Sequence, residues 1–250
     1  MGIYEGYAAL YDASGQHEFS LRMIPYLERL LTRHPVEGRR LIDLACGTGT
    51  VAIAYARQGW QVTGIDASAA MLAQAKAKQR AVSGELAITW SQQDMRELRV
   101  VEPVHLVTCL YDSMNYMLNS QDVLRTFEHV YDALVPGGLF AFDMNTAWVM
   151  AAQWDDETYF SDSDKLSIVL QSNYDDQIQR THVTVTCFQR VNHLYRKVVE
   201  HHTEQAYPPE QIATLLVDAG LRPEAQYSCF TFVPSTPTTF RIMFVARRPQ

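Results

Sequence analysis

From about residue 18 to 145, short apolar runs alternate with stretches of helical period; from about 158 to 205 the period switches to two. The first helical stretch, from Phe19, puts Leu21, Ile24, Leu27 and Leu31 on one stripe, with Pro25 restricting where the helix can begin. Residues 40–45 then read as a strand, 50–58 as a helix, 60–66 as a strand and 68–81 as an Ala-rich helix burying Met71, Leu72 and Ala75. Three more strands follow at 86–91, 104–111 and 138–144, with a helix at 120–134 stopped by Pro136-Gly137-Gly138. Alternation of this kind predicts an α/β fold with a parallel, doubly wound, Rossmann-like sheet.

The period-two region reads as strands at 167–174, 182–188 and 195–202, with turn signals at Asp175-Asp176 and Asn192-His193. That predicts a small antiparallel sheet, 146–205, inserted as a cover into a domain formed by 1–145 and 206–250. A helix at 208–219, ended by Gly220, and strands at 225–233 and 240–247 complete that domain with an antiparallel hairpin. The acidic clusters Asp155-Asp156-Glu157 and Asp162-x-Asp164 read as a solvated loop before the insertion, and no metal site is expected. Trp148, Trp154, Tyr159 and Phe160 either cap an apolar or aromatic ligand or bury themselves against the inserted sheet.

Composition narrows the function. With 21 basic and 28 acidic residues the chain carries a formal charge of −7, which disfavours nucleic-acid and anionic-membrane partners. No apolar stretch is long enough to cross a bilayer. The start, Met1-Gly2, leads neither a secretory signal nor a lipid-anchor motif. Four cysteines without C-x-x-C spacing suit free thiols in a cytoplasmic protein.

Chemistry concentrates where the first strand meets its helix. Glycines at 47 and 49 let backbone approach a ligand, and the helix start offers unpaired N–H groups. The pattern Gly47-x-Gly49-x-x-Ala52, with Asp66 placed 19 residues after Gly47 to accept from ribose hydroxyls, also suits a dinucleotide. Asp43 points elsewhere, because a buried parallel strand is normally apolar and a carboxylate inside it needs a partner. Asp94 supplies a third carboxylate at a strand end.

Asp43-x-Ala45-Cys46-Gly47-x-Gly49, Val62-x-Gly64-Ile65-Asp66-x-Ser68-x-x-Met71-Leu72, Gln93-Asp94-Met95 and Leu134-x-Pro136-Gly137-Gly138 together resemble the class I S-adenosylmethionine-dependent methyltransferases. The similarity runs over about 38–145 with the motifs in family order. It implies S-adenosylmethionine as cofactor and S-adenosylhomocysteine as product, with Asp66 on the ribose diol and Asp94 near the adenine amine. It further implies the 45–49 backbone beside the methionine moiety, and Ile65, Met71 and Met95 around the adenine. Leu110, ending the fourth strand, joins the cofactor set. A sulfonium ligand without phosphate also fits a loop whose only basic residue between 41 and 66 is Arg57.

The acceptor pocket is expected after the fourth strand, at Tyr111, Asn115 and Tyr116, since strand C-termini line the ligand crevice. The Asn/Asp-Pro-Pro-Tyr/Phe signature common in base-methylating enzymes is absent there. Tyr7–Tyr11–Asp12 resembles the segment that folds over the cofactor in glycine N-methyltransferase and the amino-sugar N,N-dimethyltransferases. Tyr11 is therefore a lid contact or one half of an i, i+4 Tyr pair. Of His201 and His202 only one can face inward, and His202, on the face of Glu200, is the candidate. Tyr11, Tyr111 and His202 are the catalytic candidates. The expected activity is methyl transfer to nitrogen or oxygen of a small-molecule acceptor, in a monomer or homodimer. A nicotinamide-dependent oxidoreductase and a non-catalytic cofactor-binding protein remain the alternatives.

Overall fold

A computed structural model describes residues 4–250; the Met1-Gly2 start lies outside the described residues. The chain opens with α1 (Ala8–Tyr11) and α2 (His17–Arg33), then β1 (Arg40–Leu44), α3 (Thr50–Arg57), β2 (Gln61–Asp66), α4 (Ala69–Arg80) and β3 (Ile88–Gln92). It continues through β4 (Val104–Cys109), α5 (Ser120–Ala133), β5 (Leu134–Asn145) and α6 (Ala147–Gln153). Four antiparallel strands follow: β6 (Glu157–Asp162), β7 (Leu166–Asp175), β8 (Arg180–Val191) and β9 (Leu194–Gln205). Then come α7 (Pro209–Asp218), β10 (Arg222–Ser228) and β11 (Arg241–Arg247).

Period-two alternation in the central strands builds two apolar layers. Ile42, Leu44, Phe140, Phe142 and Phe244 face the α5/α7 side, where Val123, Phe127, Ile212 and Leu216 cover them. Leu41, Leu139, Ala141, Met243 and Val245 face the opposite side, under α2 and α3. The seven-stranded sheet has the order β10-β11-β5-β4-β1-β2-β3, and β11 runs antiparallel to both β5 and β10. This is the doubly wound sheet with a C-terminal hairpin that the alternation predicts. Its strand order reverses between β4 and β1, and a ligand crevice opens at such a switch point.

Three local expectations need correction. The buried stripe of the second helix is Met23, Tyr26, Leu27 and Leu30, whereas Leu21 is half exposed. The helix also starts earlier, at His17, and carries Pro25 in its interior. Strong packing of that stripe outweighs one missing backbone hydrogen bond. The acidic stretch read as a loop contains a strand: β6 pairs with β7 from Glu157↔Ser172 to Asp162↔Ser167. All six β6 residues are exposed, so it is an edge strand whose polarity imitates a loop.

The smaller sheet has the order β6-β7-β8-β9 and is tied to the N-terminal segment. Tyr7 and Leu10 pack on Leu166, Ile168, Val185 and Cys187. The carboxylate of Glu200 on β9 accepts backbone N–H from Tyr4, Gly6 and Tyr7 at 3.0, 2.8 and 2.9 Å. Among the described residues no helix is long and apolar enough to cross a membrane, and the four cysteines are free.

Candidate active site

Near the end of β1 stands Asp43, whose register partner on β4 is Thr108. The Thr108 hydroxyl donates to Asp43 Oδ1 at 2.8 Å, supplying the partner that a buried carboxyl requires. Burial nevertheless pushes Asp43 up to about 7, against the lowering effect of that hydrogen bond. The chain then turns through left-handed backbone at Ala45, Gly47 and Gly49, with φ of 54°, 53° and 74°. Glycine is needed at 49 for a second reason: a Cβ there would lie 2.4 Å from the Trp90 ring. At Gly47 a Cβ would meet nothing within 4 Å, so that backbone borders open space.

Asp66 closes the loop from the side. Its carboxylate accepts from Gly47 N and Ser68 N, each at 2.8 Å, so one side chain fixes the turn and the start of α4 together. Burial raises its proton affinity while those two donors oppose the rise. Asp94 is arranged differently. Arg96 grips it through its backbone N–H and its guanidinium, holding the carboxyl below the usual range.

A cavity of about 280 Å³ is lined by all three acids together with Ala45, Cys46 and Gly47. Met71, Met95, Leu110, Tyr11, Tyr111 and Tyr116 also line it. The residues expected at the cofactor therefore meet in one place, with two exceptions. Ile65 is fully buried beneath the cavity, and Gly49 faces Trp90 rather than the open space. Arg96, which no motif singles out, stands on the wall beside Asp94.

A second cavity of about 500 Å³ lies under the inserted sheet and shares Tyr4, Tyr11, Tyr111 and Tyr116 with the first. Its floor is the loop after β4. Tyr111 and Asp112 are both left-handed, φ 60° and 54°, a strained pair for residues with side chains. Asp143 holds them by accepting Tyr111 N–H at 2.8 Å and Asp112 N–H at 3.2 Å. Arg241, from the first position of β11, donates in turn to Asp143 and to Asp112. The Tyr111 ring stacks on Phe19 at 4.2 Å, and its hydroxyl donates to Gln16.

His202 faces inward and lines this second cavity, whereas His201 is exposed and pairs with Thr184. Its Nδ1 lies 3.1 Å from the Tyr116 hydroxyl, which sits 2.8 Å from the Tyr4 hydroxyl. Burial lowers its pKa more than the nearby Glu200 raises it. Tyr11 forms the i, i+4 pair and also reaches the cavities. It packs edge-on against Tyr7 at 5.8 Å and also lines both cavities.

Asn115 takes a different place from the one expected. It is completely buried, donates to the carbonyls of Asn145 and Gln205, and accepts from Asn145 N–H. It joins β5 to β9 and touches neither cavity. Trp154 and Tyr159 line the second cavity, while Trp148 stacks on Phe240 and Phe160 is exposed. Among the described residues no three His, Cys, Asp or Glu side chains are grouped to hold a metal ion.

The parts played by Thr108, Asp143 and Arg241 are not visible in the sequence, and neither is the place of Glu204 on the wall of the second cavity beyond one local hint. Only Glu204 leaves a local signal, because it continues the alternate-position series Glu200, His202 on β9.

Residues 41–138 match the family model of the methyltransferase domain. A putative methyltransferase, YqeM, of Bacillus subtilis is 31% identical to this chain, over 98% of the chain and 97% of the relative. An S-adenosylmethionine-dependent methyltransferase structure from Clostridium acetobutylicum superposes with a TM-score of 0.85 at 23% identity, covering 100% of both chains. The sugar N-methyltransferase KedS8 from Streptoalloteichus superposes with a TM-score of 0.77 at 19% identity, over 96% of this chain and 93% of that one.

Proposed function

The chain belongs to the class I S-adenosylmethionine-dependent methyltransferases, and from that premise we propose that it methylates a small molecule, at nitrogen or oxygen, held under the inserted sheet. The observation that carries this reading is the second cavity: it lies against the inserted sheet and shares Tyr4, Tyr11, Tyr111 and Tyr116 with the cofactor cavity.

S-adenosylmethionine is the cofactor, and bound it supplies an electrophilic methyl group on a sulfonium. The cavity fits it chemically, since acids and loop backbone border an open space at Gly47. In this reading Asp66 takes the ribose diol, Met71 and Met95 flank the adenine, and Asp94 reaches the adenine amine from its pairing with Arg96. Leu110 and the 45–47 backbone border the methionine moiety, and Asp43 supplies charge beneath it.

On the acceptor side the chain's own part is positioning. Tyr11, Tyr111 and Tyr116 form the wall between the cavities and exclude water along the line of attack. Alignment of this kind is worth roughly 7–11 kcal/mol, enough to make an obligatory general base unnecessary for a neutral amine or a phenolate. His202, with Tyr116 and Tyr4, fixes the wall. Transfer of labelled methyl from S-adenosylmethionine into a size-fractionated cell extract tests the proposal. Label is expected in the low-molecular-weight fraction; label confined to RNA, DNA or protein overturns it.

Asp43 gives this site a pH signature. Below about pH 7 its carboxyl is protonated in the free protein. A cationic ligand favours the ionised form, so binding there must release the proton. S-adenosylmethionine affinity should therefore rise by up to about tenfold per unit as pH approaches 7, then level off. Calorimetric titrations from pH 5.5 to 8.5 check this, and Asp43→Asn should flatten the rise.

A further inference from the structure

Carboxyl groups around the second cavity outnumber the cations that face them. One guanidinium, Arg241, pairs with two carboxyl groups, Asp112 and Asp143. A third, Glu204, is about nine-tenths buried and lines the same cavity. Its Oε2 accepts only the Asn145 amide, at 3.2 Å, and its Oε1 accepts no hydrogen bond among the described residues. Asn145 donates to Asp112 through the same nitrogen, at 3.0 Å. The remaining groups that face Glu204 are His202 and Glu200 on its own strand, Glu157 at the mouth, and the hydroxyls of Tyr4, Tyr111 and Tyr116. None of them is a fixed cation. Tyr7, Tyr11, Trp154 and Tyr159 add rings to a wall completed by Leu170, Val183 and Val185, and ring faces attract an ammonium.

We infer that Glu204 is the specificity-determining residue for the acceptor, and that the acceptor it selects carries a basic amine. The inference rests on the small-molecule reading above and narrows it from nitrogen or oxygen to nitrogen. An alcohol offers the cavity neither the charge that Glu204 lacks nor a partner for the ring faces. An amine offers both.

The protons follow from the same arrangement. Burial, with the charge of Asp112 added, raises the proton affinity of the Glu204 carboxyl against the opposing pull of Asn145 and Arg241. An amine arrives from water as an ammonium. Starting from the protonated carboxyl, the complex holds one proton fewer than the separated partners, whether as carboxylate with ammonium or as carboxyl with free amine. One proton therefore passes to solvent for each amine bound. In the second form the nitrogen lone pair is free for attack while the carboxyl group stays hydrogen-bonded beside it.

The test is a calorimetric titration of the full chain, saturated with S-adenosylhomocysteine, with benzylamine against benzyl alcohol and cyclohexylamine against cyclohexanol. Buffers of different ionisation enthalpy count the protons. The amines should bind about tenfold or more tighter than their alcohols and release protons as they bind, with affinity rising as pH rises. Glu204→Gln should lower amine affinity about tenfold or more and abolish proton release, with S-adenosylhomocysteine affinity unchanged. Equal binding of amine and alcohol, amine binding without proton release, or no amine binding at millimolar concentration overturns the inference. The comparison of amine with alcohol in the unaltered protein decides the matter even if the variant folds poorly. The calorimetric and label experiments fail separately: label in macromolecules overturns the small-molecule reading, and equal amine and alcohol binding overturns only the role of Glu204.

Discussion

Replacing Arg241 by methionine should destabilise the protein by about 3–5 kcal/mol, the usual cost of stripping the cation from a buried ion pair. Arg241 holds two buried carboxyl groups, and burial leaves Asp143 no route to water. Methionine fills much of the volume but supplies no donor, so the uncompensated charge dominates over the packing. Damage should also spread to the left-handed pair Tyr111 and Asp112, which Asp143 holds only while its own carboxylate is oriented by Arg241. Urea unfolding at pH 7 measures the loss. At pH 5 the gap from the unaltered protein should narrow, because burial already raises the proton affinity of Asp112 and protonation relieves it of its orphaned charge. Unchanged midpoints at both pH values would show that this cluster is not structural.

The Arg241 cluster also marks the limit of what local sequence can reveal. The glycine turn, Asp66 and Asp94 are legible because each lies within a few residues of a strand end, and the αβ alternation fixes where strand ends gather. The doubly wound sheet and its hairpin follow from periodicity, because burial on two faces imposes it directly. Arg241 lies 129 residues from Asp112 and 98 from Asp143, and no local pattern joins them. Thr108 is hidden in the same way, since its value to Asp43 comes from the β1–β4 register and not from any neighbour in sequence. Asn115 shows the opposite error. A polar residue in a ligand-lining loop resembles a substrate contact, yet a buried backbone corner needs the same amide. Edge strand β6 is illegible because exposure removes the alternation by which strands are recognised.

Among the cofactor acids, Asp66→Ala should weaken S-adenosylhomocysteine binding most, by about 1.5–3 kcal/mol, or roughly 10–150-fold in Kd. Two effects add. The carboxylate is lost as an acceptor for the ribose hydroxyls, and Gly47 N–H and Ser68 N–H both lose the group that orients the turn. Ser68 still caps α4 by accepting from Met71 N–H, so the helix itself should survive and the fold should lose only about 1 kcal/mol. Asp94→Ala provides the contrast. That carboxylate is already engaged by Arg96 on a partly exposed wall, so its removal frees Arg96 and should cost less binding than removal of Asp66. Calorimetry on both variants ranks them, with thermal melts to separate binding from folding. An Asp66→Ala protein that binds as tightly as the unaltered one would remove this carboxylate from the ribose, and equal losses in both variants would mean that charge alone, not the cradle at the turn, holds the adenosyl group.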